Sequence, residues 1–292
     1  MKQLTYSFQT TVEFSRPVVD HSFVLRCLPA TRDDQEVWAR VDLDPAVPAS
    51  LQRDSFGNIL IVGFIGPEHD HFSYRSTGTA VVGGSLGHLP SSIASFEPGD
   101  LHTGLVPENP RVKNTSGGGA HPLLLFPSPL ADVDAALEDF ASELSLEPGG
   151  AAALDAQEQR DRCEELMRAI HATLAYEPGS TTVNTTATEA FAQKRGVCQD
   201  FTHIMIALLR RWGVPARYAS GFAVGSGTTH AWAQAYLGGE WVGFDPTRNR
   251  ATGSDYLVCA VGRDWTDCPI ERGTFHNFAD QTQTVFVQME ER

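Results

Sequence analysis

Three residues in the second half of the 292-residue chain have side chains that together support nucleophilic catalysis. Cys198 follows a Gly-Val pair and opens a predicted helix, His230 begins a predicted strand, and Asp245 ends the next predicted strand. A thiol becomes a strong nucleophile when a nearby base takes its proton, and a carboxylate can orient that base. The chemistry expected of this set is the formation and resolution of a thioester on an amide-type substrate.

A helix is predicted to begin at Cys198 and to end before Gly213, with Pro215 following. The unsatisfied N–H groups and the positive dipole end at its start favour a thiolate. A lone cysteine at a helix start is nevertheless more often structural, so the thiol needs partners to indicate catalysis. The apolar residues of this helix recur at the spacing of one helical face: Phe201, Ile204, Met205, Leu208, Leu209 and Trp212.

A predicted hairpin brings the other two residues together. Gly238-Gly239 lies between two strand-like runs and indicates a two-residue turn, so Trp232 faces Asp245 across the hairpin. Because side chains alternate along a strand, His230 and Asp245 are diagonal neighbours on one face, with Cβ atoms about 7 Å apart or less. Each residue alone also fits an ordinary structural role, but the joint arrangement favours catalysis. The opposite face suits close packing against a helix: Ala231, Ala233 and Ala235.

These segments resemble the transglutaminase-like superfamily, and most closely its bacterial branch, whose members are described as candidate cysteine proteases. The specific similarity lies in residues 196–203, 213–222, 230–233 and 245–247, and it extends to 176–181 and 261–265. A looser similarity links Leu25-Arg26 and residues 54–58 to the β-rich domain that precedes the core in that branch. Residues 267–273 depart from the pattern of the branch, away from the three candidate residues.

The resemblance implies an α+β protein with a papain-like core, in which the cysteine-bearing helix packs on an antiparallel sheet. It implies that an N-terminal β-sandwich precedes this core. Carried over by position, Cys198 is the nucleophile, His230 is the general base and then the general acid, and Asp245 orients the imidazole. The oxyanion is expected to be held by the backbone N–H of Cys198 and one further donor.

The second oxyanion donor is the least defined part of the expected site. In eukaryotic transglutaminases a tryptophan well before the cysteine takes this role, but no tryptophan lies between Trp38 and Cys198. Tyr176 is the substitute that we consider. Gln199 and Asp200 are further candidates for the oxyanion site or its support, and for Asp200 a structural role such as capping the helix is favoured.

The chain is expected to divide into a β-sandwich domain (1–95), an irregular connection with a helix (96–150), a catalytic core (151–275) and a C-terminal strand (276–292). Short alternating runs separated by Pro, Gly and Asp indicate the first of these units. The stretch from about 84 to 130 is rich in Gly, Pro and Ser, and it is expected to supply pocket residues. His69-Asp70-His71 is read as a solvated loop rather than a metal site.

The charge and the cysteine content of the chain indicate which partners and which cellular compartment to expect. The chain has 22 Lys and Arg against 36 Asp and Glu, so its formal net charge is -14. Such an acidic protein repels nucleic acid and anionic membranes, and neither is expected as a partner. Five scattered cysteines without CxxC pairs, and an N-terminus without an apolar signal segment, favour a reducing cytoplasm. No metal, calcium or nucleotide motif is present, so no cofactor is expected.

Three functions remain open from the sequence. The favoured one is a cysteine amidase or peptidase, because water is always available to resolve an exposed thioester. The second is an acyl transferase that joins glutamine to an amine, which requires a site that binds the amine and excludes water. The third is a non-catalytic binding module on the same fold, against which the retention of all three candidate residues speaks.

Overall fold

The computed structural model describes residues 1–83 and 122–292, which form a β-rich N-terminal region and a mixed core. The N-terminal region holds one sheet in which the central strand is shared by two halves. Its strands are β1 (Lys2–Leu25), β2 (Gln35–Asp44), β3 (Ala49–Arg53), β4 (Ile59–Ile65) and β5 (His69–Val82). The expected β-rich N-terminal region is therefore confirmed.

The long strand β1 explains why this region is one curled sheet rather than two separate ones. Its first part pairs with β5 and its last part with β4, and the register shifts between Glu13 and Val18. The inward side chains of the two halves meet in one core, where the rings of Phe23 and Phe72 lie 4.7 Å apart between centroids. The two layers of the predicted sandwich thus share a strand that bends from one layer into the other.

The C-terminal end of the chain returns to the N-terminal region. Strand β13 (Glu271–His276) pairs with the last part of β1, and β14 (Gln281–Glu291) pairs with its first part. The strand predicted near the C-terminus is confirmed within β14. The domain boundaries that the sequence suggested at 95, 150 and 275 stay predictions, and residues 84–121 of the predicted connection lie outside the described residues.

The core combines four helices with a five-stranded antiparallel sheet and a short parallel pair of strands. The sheet has the strand order β11-β10-β9-β8-β12. The helices are α1 (Ala135–Glu143), α2 (Ala156–Thr173), α3 (Ala187–Gln193) and α4 (Cys198–Trp212). The strands are β6 (Ala175–Tyr176), β7 (Arg195–Gly196), β8 (Ala216–Ala223), β9 (His230–Leu237), β10 (Glu240–Asp245), β11 (Arg250–Ala251) and β12 (Tyr256–Gly262). Three short 3-10 segments accompany them: Pro122–Leu125, Gly150–Ala153 and Trp265–Asp267.

Helix α4 is the buried centre of the core, as its apolar pattern predicted. It begins at Cys198 and ends at Trp212, followed by Gly213 in the left-handed conformation. Its apolar side chains join one hydrophobic cluster with the small side chains on one face of β9. Alanine at those positions lets the helix lie close to the sheet, which fixes the start of α4 near the start of β9: Ala231, Ala233 and Ala235.

The hairpin of β9 and β10 has the predicted register. Leu237 pairs with Glu240, and the pairing continues to Ala233 with Phe244. Gly238-Gly239 forms the turn with φ values of 58° and 93°, a conformation that glycine adopts without a steric cost. This register brings the last residue of β10 beside the first residues of β9.

Strand β12 forms one edge of the core sheet, and two side-chain amides from the N-terminal region bond its backbone. Gln35 accepts from the N–H of Val258 and donates to its C=O, at 2.9 and 2.8 Å. Asn58 does the same with Val261, at 2.8 and 2.7 Å. Both amides are buried, so they satisfy backbone groups of β12 that a neighbouring strand would otherwise bond.

One local prediction was wrong. His69-Asp70-His71 was expected in a loop, but these residues begin strand β5. The Nε2 atom of His69 lies 3.2 Å from Nδ1 of His21, a buried residue of β1, and this contact between distant positions ties the segment into the sheet. Among residues 1–83 and 122–292, no helix has both the length and the apolar character needed to cross a membrane.

Candidate active site

Cys198 lies in the first turn of α4. The buried carboxylate of Asp200 fixes the backbone segment that leads to it. Oδ2 of Asp200 accepts hydrogen bonds from the backbone N–H of Val197 and the hydroxyl of Thr181, both at 2.7 Å. A Cβ at Gly196 would lie 2.6 Å from the same oxygen, so only glycine lets the chain pass this close. Asp200 therefore acts here as a cap that fixes the backbone leading into Cys198.

Tyr176 lies beside Cys198 because two short strands meet there. β6 pairs with β7 in parallel, with Tyr176 opposite Gly196, two residues before the thiol. Burial and the nearby negative charge of Cys198 raise the pKa of the Tyr176 phenol. The side chain is also largely exposed, with 57% of its surface accessible to solvent.

Gln199 holds a neighbouring loop. Its Nε2 atom donates to the carbonyl oxygen of Val183 at 3.1 Å, and the side chain is buried. Its amide is therefore engaged with the segment that precedes α3. The structure places all three of the weaker candidates around the start of α4, with Tyr176 on the open side and the other two in supporting contacts.

His230 and Asp245 form the hydrogen bond that the hairpin register predicted. Nε2 of His230 donates to Oδ2 of Asp245 at 2.6 Å, and the carboxylate is fully buried. Since Nε2 bonds the carboxylate, Nδ1 is the ring nitrogen left for Cys198, whose thiol contributes to the raised pKa of the imidazole. The three candidate residues thus lie in the order thiol, imidazole, carboxylate.

His230 is protonated under the control of two charged partners, Asp245 and Cys198. Burial lowers the pKa of His230, but the hydrogen bonds with Asp245 and Cys198 outweigh it and raise the pKa to about 9. For Asp245, burial raises the pKa, but His230 and the other donors outweigh it and hold the pKa below its ordinary value. At neutral pH the pair is therefore an imidazolium and a carboxylate.

Tyr256 is a contact of this site that the sequence analysis missed. Its hydroxyl donates to Oδ2 of Asp245 at 2.7 Å, and its ring lies 5.2 Å from that of Trp232 in an edge-on arrangement. The Trp232 ring in turn lies 6.3 Å from the His230 ring. No signal in the sequence separated Tyr256 from an ordinary strand residue.

The other four thiols differ from Cys198 in exposure. All four are buried, whereas Cys198 is partly exposed. Burial raises the pKa of each of them, for Cys163 to about 12: Cys27, Cys163, Cys259 and Cys268. The interpretation of Cys163 as a core residue of α2 is confirmed by its place in the main hydrophobic cluster.

His203, one and a half turns after Cys198, has a structural contact. Its Nε2 atom accepts from the backbone N–H of Trp265 at 3.1 Å, and the side chain is fully buried. Burial lowers the pKa of His203 to about 4, which keeps the imidazole neutral. It therefore orients the segment after β12 and leaves His230 as the histidine that faces the thiol.

The comparisons with known proteins agree with this fold. A solved structure of a candidate cysteine protease from Cytophaga hutchinsonii covers 100% of this chain and 91% of its own, with a TM-score of 0.69 and 19% identity. At that identity the similarity demonstrates a shared fold.

Two mycobacterial relatives extend the comparison in sequence. An uncharacterised protein of Mycobacterium leprae is 41% identical over 112 residues, which are 35% of this chain and 40% of the relative. An uncharacterised protein of Mycobacterium tuberculosis is 28% identical over 273 residues, which are 83% of this chain and 77% of the relative.

Two family models match separate parts of the chain. Residues 4–81 match the bacterial transglutaminase-like N-terminal region, which corresponds to the curled sheet. Residues 151–246 match the transglutaminase-like superfamily, and this range contains the thiol, the imidazole and the carboxylate described above. Residues 151–246 are therefore a transglutaminase-like core, and a bacterial transglutaminase-like N-terminal region precedes it in the chain.

Proposed function

We propose that the chain is a cysteine-dependent hydrolase of amide or peptide bonds that works through a thioester on Cys198. The observation that carries this proposal is the arrangement of three side chains. Cys198 lies beside His230, and a 2.6 Å hydrogen bond joins the His230 imidazole to Asp245. This is the relation that activation of a thiol requires.

In the first half of the proposed reaction, the Cys198 thiolate attacks the carbonyl carbon of the amide. The tetrahedral oxyanion collapses, the C–N bond breaks, and the His230 imidazolium gives its proton to the departing amine. The products are a free amine, a thioester on Cys198 and a neutral imidazole. Asp245 keeps the imidazole in the tautomer and orientation that this transfer needs.

In the second half, neutral His230 takes a proton from water, and the resulting hydroxide attacks the thioester. The C–S bond breaks, the carboxylic acid leaves, and Cys198 and His230 return to the thiolate and the imidazolium. The backbone N–H of Cys198 is the proposed first oxyanion donor, since the first N–H groups of a helix have no acceptor within it. The Tyr176 hydroxyl is the proposed second donor.

Selective alkylation tests the activated thiol without a known substrate. We expect iodoacetamide at pH 6 to label Cys198 about tenfold faster or more than any of the other four thiols, because those are buried and their pKa values are raised. Mass spectrometry of the digested protein measures each site. Equal labelling at all five thiols, or no labelling at Cys198, would contradict the proposal.

A library of peptides and glutamine-containing substrates with added amines then tests the reaction. Wild type in water enriched in oxygen-18 should yield acids that carry the label, whereas an acyl transferase would yield amine adducts. Cys198→Ala should abolish turnover, and Cys163→Ala, which alters a buried thiol in α2, should retain it. A peptide or other amide is the proposed substrate, and the cytoplasmic location remains a prediction from the sequence.

Turnover that persists in Cys198→Ala would overturn the thioester. Absence of turnover on every substrate, together with the rapid alkylation of Cys198, would leave an activated thiol with another acyl acceptor. A non-catalytic binding module would show neither property.

A further inference from the structure

The carboxylate of Asp245 is surrounded by hydrogen-bond donors on both oxygens. Oδ1 accepts from the backbone N–H groups of Thr247 and Arg248, both at 3.0 Å. Oδ2 accepts from His230 Nε2 at 2.6 Å and from the Tyr256 hydroxyl at 2.7 Å. Tyr256 and His230 therefore bond the same oxygen, and each weakens the attraction of that oxygen for the other.

Tyr256 is held in this position from two sides. Its ring packs edge-on against Trp232 at 5.2 Å, and two residues later Val258 is bonded through both backbone groups to the buried amide of Gln35. Burial and the charge of Asp245 raise the pKa of the Tyr256 phenol well above the neutral range, so the hydroxyl stays protonated and acts as a donor.

We infer that Tyr256 is a positioning residue that limits how strongly Asp245 binds the proton of His230. The inference rests on the proposed function, in which His230 must give up a proton to the leaving amine. A carboxylate with a free lone pair on Oδ2 would hold the imidazolium more tightly. By donating to that oxygen, Tyr256 keeps His230 a more effective acid.

Charged groups around the pair come from several elements. Cys198 approaches His230 from α4, and both its charge and that of Asp245 favour the imidazolium. On the other side Arg248 lies with Nε 3.9 Å from Oδ2 of Asp245. Because the two backbone N–H groups still hold Oδ1, removal of the Tyr256 hydroxyl should leave the carboxylate in place and change its basicity.

The test is a titration of His230 by nitrogen-15 NMR in the full chain. In Tyr256→Phe the ring and its packing on Trp232 are kept, and we expect the pKa of His230 to rise by about half a unit or more. Tyr236→Phe is the matched control, since that ring packs on Trp241 elsewhere in the same sheet and should leave the titration unchanged.

Two further proteins show whether Tyr256 acts through Asp245. In an Asp245→Asn background, Tyr256→Phe should no longer move the pKa of His230, because the shared carboxylate is gone. A fluorinated tyrosine at position 256 is a stronger donor that keeps the hydroxyl, and it should lower the pKa of His230. This protein retains every contact, so it answers the question even if Tyr256→Phe folds poorly.

An unchanged or lowered pKa of His230 in Tyr256→Phe overturns the inference, as does a shift of equal size in the Asp245→Asn background. So does a fluorinated protein with an unchanged or raised pKa. The alkylation of Cys198 judges the proposed function separately. A thiol that reacts no faster than the others would remove that function, whereas the titration alone decides whether Tyr256 tunes the imidazole.

Discussion

Two buried histidines, His230 in the core and His21 in the N-terminal region, respond to their surroundings in opposite ways. Both are nearly excluded from solvent, with exposed fractions of 8% and 2%. Burial lowers the pKa of His230, but its bonds to Asp245 and Cys198 raise the value to about 9. At His21, burial and the charge of His69 lower the pKa to about 4.

The difference shows that hydrogen-bonded partners of opposite charge can reverse the effect of burial on an imidazole, as at His230, whereas at His21 burial is the largest cause of the lowered pKa and His69 adds to it. His21 and His69 stack with an interplanar angle of 6° and share one short contact of 3.2 Å, so a second proton would place two cations side by side. His230 has a carboxylate at a similar distance. The residue type is the same at both positions, and the partner that the fold supplies distinguishes the charged imidazole from the neutral one.

The largest expected effect comes from removing the carboxylate of Asp245, which bonds His230. We expect Asp245→Asn to lower turnover of an amide substrate by about 10³- to 10⁴-fold, since the imidazole loses its orientation and the charge that keeps it protonated. The pKa of His230 should fall well below about 9. Steady-state kinetics and NMR titration measure both effects.

Asp134→Asn is the control for that change, because asparagine can replace aspartate as the N-cap of α1. It should leave turnover and the titration of His230 unaltered. Near-normal turnover in Asp245→Asn would show that the carboxylate does not serve His230 as described.

The comparison can also be reversed by giving His21 an acidic partner. In His69→Glu the carboxylate takes the place of an imidazole 3.2 Å from His21, and we expect the pKa of His21 to rise from about 4 to above its ordinary value of about 6.5. NMR titration is the measurement. His71→Glu changes an exposed histidine two residues away, whose ring contacts Asp44 and Asp70, and it should leave His21 near 4.

A pKa of His21 that stays near 4 in folded His69→Glu would mean that a carboxylate partner does not reverse the effect of burial at this position.

The smallest expected effect lies in the pH dependence of stability. Between pH 6.5 and 4 the unfolded chain protonates His21 while the folded chain does not, so the free energy of unfolding should fall as the pH falls, by on the order of 1 kcal/mol. The raised pKa of His230 has the opposite sign: its stabilisation is present below pH 6.5 and is lost as the pH rises through about 9.

Urea unfolding at a series of pH values measures both slopes. His21→Gln should flatten the acid side and leave the alkaline side, and His230→Gln should do the reverse. If His21→Gln leaves the acid slope unchanged, other groups control acid stability, such as His203 with its own lowered pKa.

Parts of the fold and site were predictable because the signal is local. The apolar stripe of α4 and the Gly238-Gly239 turn each fix a structure within about 15 residues, and the register of the hairpin then follows from alternation. This was enough to predict that His230 lies beside Asp245. The small side chains on the opposite face of β9 then predicted that the Cys198 helix packs there, and the family resemblance pointed to the same three residues.

Other contacts join distant parts of the chain and have no local signal. Gln35 reaches a strand 223 residues later, and Asn58 reaches one 203 residues later. The same holds for His21 and His69, and a short-range reading assigned the second of these to a loop. Tyr256 was missed for this reason too, because its partner is known only once β12 has been placed next to β8 in the core sheet.

The amides of Gln35 and Asn58 have a consequence for the autonomy of the core. A fragment consisting of residues 122–270, which ends before β13, would keep the thiol, the imidazole and the carboxylate, but it would leave the backbone groups of Val258 and Val261 open along β12. An open strand edge recruits other chains. We expect this fragment to self-associate in sedimentation experiments where the full chain does not, and a monodisperse fragment would contradict this. The N-terminal region then protects the edge of the sheet that holds His230 and Asp245 from pairing with other chains.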